Sequence, residues 1–85
     1  MKMKERDELL VIAMEECSEV AIECSKLIRF GSETFAEVMS LEKEIGDLQC
    51  MIRLMHEYGL IDLNAIEPHI ASKREKLKKW SNLNV

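Results

Sequence analysis

Between Lys4 and Arg29 the chain contains neither glycine nor proline, and so long a run of helix-compatible residues predicts a single long helix. Asp7 and Glu8 sit early in it, where they suit the positive end of the helix dipole. Phe30-Gly31-Ser32 closes it, with Gly31 as a left-handed cap and Ser32 starting a turn. A second helix is expected from Phe35 to Tyr58, capped by Ser32 or Thr34 and stopped by Gly59. Its first part is expected to be irregular, because strong periodicity begins only at Leu41. Leu60 to Leu63 form a short link, and Asp62 or Asn64 caps a third helix. That helix is expected to begin near Ala65 to Glu67, with Pro68 in its first turn, and to run to about Trp80. Ser81 to Val85 read as frayed. No β-type alternation or repeat interrupts this pattern. The chain therefore reads as one all-α domain over residues 1–85, an antiparallel helical hairpin plus a third helix.

The acidic residues constrain chemistry more than architecture. Residues three apart share a helix face, so Glu16 and Glu19 form one carboxylate pair and Glu44 and Asp47 a second. Glu16 falls inside the apolar stripe of Leu9, Ala13, Val20 and Leu27. Glu44 falls among Leu41, Ile45, Leu48, Met51 and Met55. A carboxylate on the core-facing side of a helix is costly to desolvate unless it is paired or bound to a cation. Two such pairs on helices that pack together suit a hard, oxygen-seeking cation such as Mg²⁺. A lone pair of this spacing is more often solvated surface; two pairs within apolar stripes shift the balance towards a metal site. Gly46, beside Asp47, costs about 1 kcal/mol relative to alanine inside a helix. It is tolerated where another helix or a ligand comes close, or where little depends on the position.

The spacing Glu15-Glu16-x-x-Glu19 followed by Glu44-x-x-Asp47 resembles the signature of the MazG-like all-α nucleoside triphosphate pyrophosphohydrolases. The segments Ser25 to Gly31, Leu41 to Leu48 and Lys73 to Trp80 are similar to short phage-type members, so the likeness runs from about Leu9 to Trp80. It implies hydrolysis of a (deoxy)nucleoside triphosphate to the monophosphate and pyrophosphate, dependent on Mg²⁺ or Mn²⁺, and control of nucleotide pools. Matched position by position, the metal ligands would be Glu16, Glu19, Glu44 and Asp47, with Glu15 behind them or acting as base. Lys73 and Lys76 match a phosphate-binding Lys and Arg of the closing helix. Lysine at the second position loses the bidentate fork of arginine, and Ser72 stands where the family usually has Asn or Asp. Lys26 and Arg29 are further candidates for phosphate contact. The alternative reading is a non-catalytic helical interaction module whose acids are solvated or meet a basic partner.

Eighty-five residues suffice for one small domain with a modest core. Val11 and Ile22 lie opposite Leu9 and Val20 on the first helix, which suggests a second buried face. The resemblance likewise implies a homodimer or homotetramer that completes a four-helix-type bundle. A formal net charge of −4 argues against a general nucleic-acid binder. The charge is nonetheless polarised, acidic from Glu5 to Asp47 and basic at Lys73, Arg74, Lys76, Lys78 and Lys79. An acidic metal cluster facing a basic phosphate clamp would produce this, and so would a terminal helix with lysines at its negative end. Cys17, Cys24 and Cys50 are an odd number of thiols, which suggests a reducing cytoplasm. Cys17 and Cys24 share a helix face as small apolar fillers, and no spacing supports a zinc site that includes Cys50 and His56. Trp80, Phe30 and Phe35 are candidates for base stacking but more simply for packing, and His56 and His69 have no evident partner. Met1 to Lys4 is too short for a targeting segment, and no apolar run is long enough to span a membrane.

Overall fold

A computed structural model describes residues 3–31 and 35–85. Three helices follow in order, α1 (Glu5–Phe30), α2 (Phe35–Glu57) and α3 (Leu63–Trp80), and the described residues contain no strand. The all-α reading holds, as do the ends of α1 to within one residue. The expected capping by Ser32 or Thr34 lies outside the described residues.

The helix ends follow from local chemistry, with three departures from expectation. Gly31 has a positive φ of 82°, but its ψ of 156° is not left-handed helical. It lies instead in a region open almost only to glycine, while its N–H still bonds to Leu27 O. The opening turns of α2 are regular helix from Phe35. Apolar periodicity reports burial, and Phe35, Ala36, Met39 and Ser40 are all exposed there. The third helix starts at Leu63 rather than near Ala65, because the Asp62 side chain accepts from Asn64 N–H at 2.9 Å and fixes the first turn. His56 Nδ1 accepts a second free N–H of that turn, from Leu63, at 3.2 Å. Pro68 consequently sits one turn further inside the helix than the sequence implied.

Gly59, with φ 77°, terminates α2 as expected. Gly59 N–H bonds to His56 O and Leu60 N–H reaches back to Met55 O, each at 2.9 Å. These are the two bonds of a Schellman turn, with Leu60 and Met55 as its accompanying apolar pair. Both side chains pack against the core formed by Leu9, Ala13 and Met51.

That core joins the first half of α1 to the second half of α2, so the two helices run antiparallel. α3 packs on neither helix to a comparable extent. The radius of gyration is 15.7 Å, against about 12 Å for a compact chain of this length. Leu9, Ala13 and Met51 are the only buried apolar side chains among the described residues. Val11 and Ile22 are exposed in the single chain. None of the described helices is long and apolar enough to cross a membrane.

Candidate metal centre

One helical turn beyond Ala13, the α1–α2 seam stops being apolar. Glu16 comes from α1, and Glu44 and Asp47 come from successive turns of α2. One carboxylate oxygen from each lies within 4.8 Å of the other two. All three residues are half-buried, with the Glu44 side chain 17% and the Asp47 side chain 44% exposed. The antiparallel pairing that sets Leu9 against Met51 also sets Glu16 against this pair. Rigid helices thus fix three hard oxygen donors around one point, the donor chemistry that suits Mg²⁺ or Mn²⁺.

Electrostatics record the crowding. Desolvation by burial raises the Glu16 pKa above its ordinary 4.5, and the carboxylates of Asp47, Glu44 and Glu19 push it the same way. Lys43 acts in the opposite direction. Its Nζ donates to Asp47 Oδ2 at 3.0 Å and approaches Glu44 Oε1 at 3.5 Å. These hydrogen bonds and charges raise the lysine pKa above 10.5. The Lys43 side chain is itself largely exposed.

The other expected ligands lie further out. Glu19 is exposed; three residues after Glu16, it is turned about 60° around the helix towards the rim of the seam. It influences Glu16 through charge but lies outside the group of three. Glu15 is exposed. Lys26 donates to Glu23 Oε1 at 3.1 Å. Arg29 reaches Ser25 O at 3.4 Å and lies over the Phe30 ring at 5.3 Å. Lys73 and Lys76 are exposed on α3, and within one chain that helix does not bring them against α1. Lys73 instead borders a groove with His69, Ile70, Arg74, Leu77 and Val85. Trp80 is exposed with Lys79 over its ring at 5.5 Å.

Two residues of the region escaped the sequence reading. Lys43 is four residues before Asp47, a spacing that pairs side chains on a helix. Glu23 is seven residues after Glu16 and hence in the same stripe. It is only 7% exposed, and its Oε2 is buried with no hydrogen-bond partner among the described residues.

No protein-family model matches the chain. No curated protein and no solved structure matches it either. The family likeness therefore stands on the motif residues themselves.

Proposed function

We propose that this chain is a Mg²⁺-dependent nucleoside triphosphate pyrophosphohydrolase of MazG-like type, converting a (deoxy)nucleoside triphosphate to the monophosphate and pyrophosphate. The observation that carries the reading is the convergence of Glu16, Glu44 and Asp47 oxygens within 4.8 Å on two packed helices. The reaction class comes from the motif that these residues belong to, Glu15-Glu16-x-x-Glu19 with Glu44-x-x-Asp47.

In this reading Glu16, Glu44 and Asp47 hold the divalent cation, and Glu19 joins them from the rim by a change of rotamer. The ion would supply charge neutralisation at phosphoryl oxygens. Lys43, paired with Asp47 and Glu44 in this structure, would be available to an anionic substrate if a divalent cation held those carboxylates. Glu15, exposed beside Glu16, would stand behind the ligands or act as the base for an attacking water. Lys26, Arg29, Lys73 and Lys76 are the cations available to phosphate. Lys26 must first give up Glu23, and Lys73 and Lys76 must come from a rearranged α3 or from another subunit. The working unit is a homodimer or homotetramer in which hairpins complete a four-helix-type bundle. Control of nucleotide pools in a cytoplasmic, phage-like setting is the role this activity would serve.

The test is a panel of common NTPs and dNTPs incubated with the protein and Mg²⁺, with products resolved as monophosphate plus pyrophosphate or diphosphate plus phosphate. Glu16→Gln and Glu44→Gln run alongside. Pyrophosphate release lost in both variants and without metal is the expected outcome. An absence of turnover, with no rise in melting temperature on adding Mg²⁺, would leave the non-catalytic interaction module, which the exposed apolar surface of the chain also suits.

A further inference from the structure

The carboxylate group lies part-way along the α1–α2 seam, and the seam continues past it in two directions. Ile12 stands four residues before Glu16, and Met51 stands four after Asp47. One helical turn, about 5.4 Å, therefore carries the seam from the carboxylates into an apolar groove. Buried Leu9 and Met51 line it together with half-buried Ile12 and Leu54. Tyr58, Glu5 and Glu8 complete it, all three exposed. In the other direction the next position of the α1 stripe is Glu23, a buried carboxylate, which offers no apolar bed.

The groove and the carboxylate group open on one side of the hairpin. Glu8 and Glu19 are three turns apart on α1, as Lys43 and Leu54 are on α2, so each pair shares a face. Glu5 precedes Glu16 by eleven residues and Tyr58 follows Asp47 by the same number. Both thus close the groove about 16 Å from the carboxylates. Its volume of about 250 Å³ falls below the roughly 300–1,000 Å³ that takes a drug-sized ligand. That suits one planar ring system rather than a whole nucleotide.

Tyr58 is 51% exposed, and its N–H donates to Leu54 O at 2.8 Å, which fixes the backbone that carries the ring. A heterocycle stacks on such an aromatic ring beside an apolar bed. The rim then reads its edge. A carboxylate accepts hydrogen bonds and does not donate them. Guanine alone among the common bases sets two donors, N1–H and the 2-amino group, side by side. Adenine and cytosine place an acceptor nitrogen beside the amino group, and N3–H of uracil and thymine is flanked by two carbonyl oxygens. An acceptor turned towards Glu5 or Glu8 is repelled, so the rim discriminates against those four bases.

We propose that this groove is the base subsite, with the phosphates at the carboxylate group, the ring stacked on Tyr58 and guanine selected by Glu5 and Glu8. The proposal rests on the nucleotide reading above and names the base that it leaves open.

Tyr58 is the single tyrosine of the chain, so its nitration by tetranitromethane reports on the groove without metal or turnover. Deoxyguanosine should slow the nitration of the full chain, and deoxycytidine should not. Deoxyinosine, which lacks the 2-amino group, should need about tenfold more for the same protection. With Mg²⁺, dGTP should show the lowest KM of the common dNTPs, and dITP a KM about tenfold higher at similar kcat. Combining Glu5→Gln with Glu8→Gln should raise the dGTP KM to that of dCTP, and Tyr58→Leu should raise the KM of both. Turnover without a preference for guanine, or a preference that survives the double variant, overturns the subsite and leaves the hydrolase. Protection by deoxyguanosine without turnover of any triphosphate leaves the groove and removes the catalytic reading. Neither protection nor turnover removes both, and the wild-type protection decides the groove even where a variant fails to fold.

Discussion

Glu16 is held above the ordinary carboxylate range by desolvation first and by Asp47 and Glu44 second, so its charge opposes folding of the metal-free protein. The sign follows from linkage: the folded state binds the proton more tightly than the unfolded state, whose pKa is about 4.5. Stability from this group is complete below that value and is lost as pH rises through the folded-state pKa. In EDTA, Glu16→Gln should therefore melt higher than wild type at neutral pH, and the advantage should vanish as pH falls below about 4.5. Saturating Mg²⁺ should reverse the order, because only wild type offers the ion a third carboxylate. Melting curves in both conditions check this, and a variant less stable in EDTA at neutral pH would contradict the crowding. Glu23 poses a related problem, since its Oε2 is buried without a partner. Lys26 is partly exposed and can return to water. Glu23→Met should accordingly stabilise by about 1 kcal/mol, read as a higher urea midpoint. A lower midpoint would mean that the Glu23 carboxylate is satisfied in the folded chain.

At the scale of the elements, the parts that were legible in sequence are those set by local chemistry. The glycine- and proline-free run gave α1, the Asp62 cap was visible in its residue type, and Gly59 marked the end of α2. The start of α3 and the helical opening of α2 were less legible. One depends on which of two candidate caps makes its bond, and the other on a stretch that buries little within its own chain. The carboxylate group was legible as two spaced pairs, but the selection of Glu16, Glu44 and Asp47 over Glu19 needed the rotation of α1 about its axis. The two interior and terminal glycines now separate cleanly. Gly59 has φ 77° and nothing near its missing Cβ, so Gly59→Ala is strained by backbone alone and should cost about 1 kcal/mol. Gly46 is helical, and a Cβ there would meet nothing within 4 Å in this chain. Gly46→Ala should stabilise by about 1 kcal/mol, and chemical denaturation of the two variants side by side would show opposite shifts.

For the whole molecule, charge asymmetry was readable in sequence, but its spatial meaning was not. The basic helix α3 does not pack on the acidic hairpin as α1 and α2 pack on each other, so one chain alone does not bring the cations of α3 to the carboxylate group. The same shortage appears in the packing: among the described residues, three buried apolar side chains and four partly buried ones packed on them form the core between helices of 26 and 23 residues. Domains this small are marginal even when compact, and this one is extended along 43 Å. If the proposed oligomer supplies the missing stability, folding that consumes monomers is driven by concentration. The melting temperature should rise with protein concentration over the micromolar range, as mass action requires when only the folded state associates. Ala21→Arg, among the exposed Met14, Cys17 and Ile28 of α1, should melt lower and lose that dependence, since it charges an apolar stripe and leaves the hairpin core untouched. Calorimetry across a dilution series decides the matter: a concentration-independent transition in wild type would mean that the single chain carries its own fold, and that the exposed apolar residues of α1 contribute nothing to it.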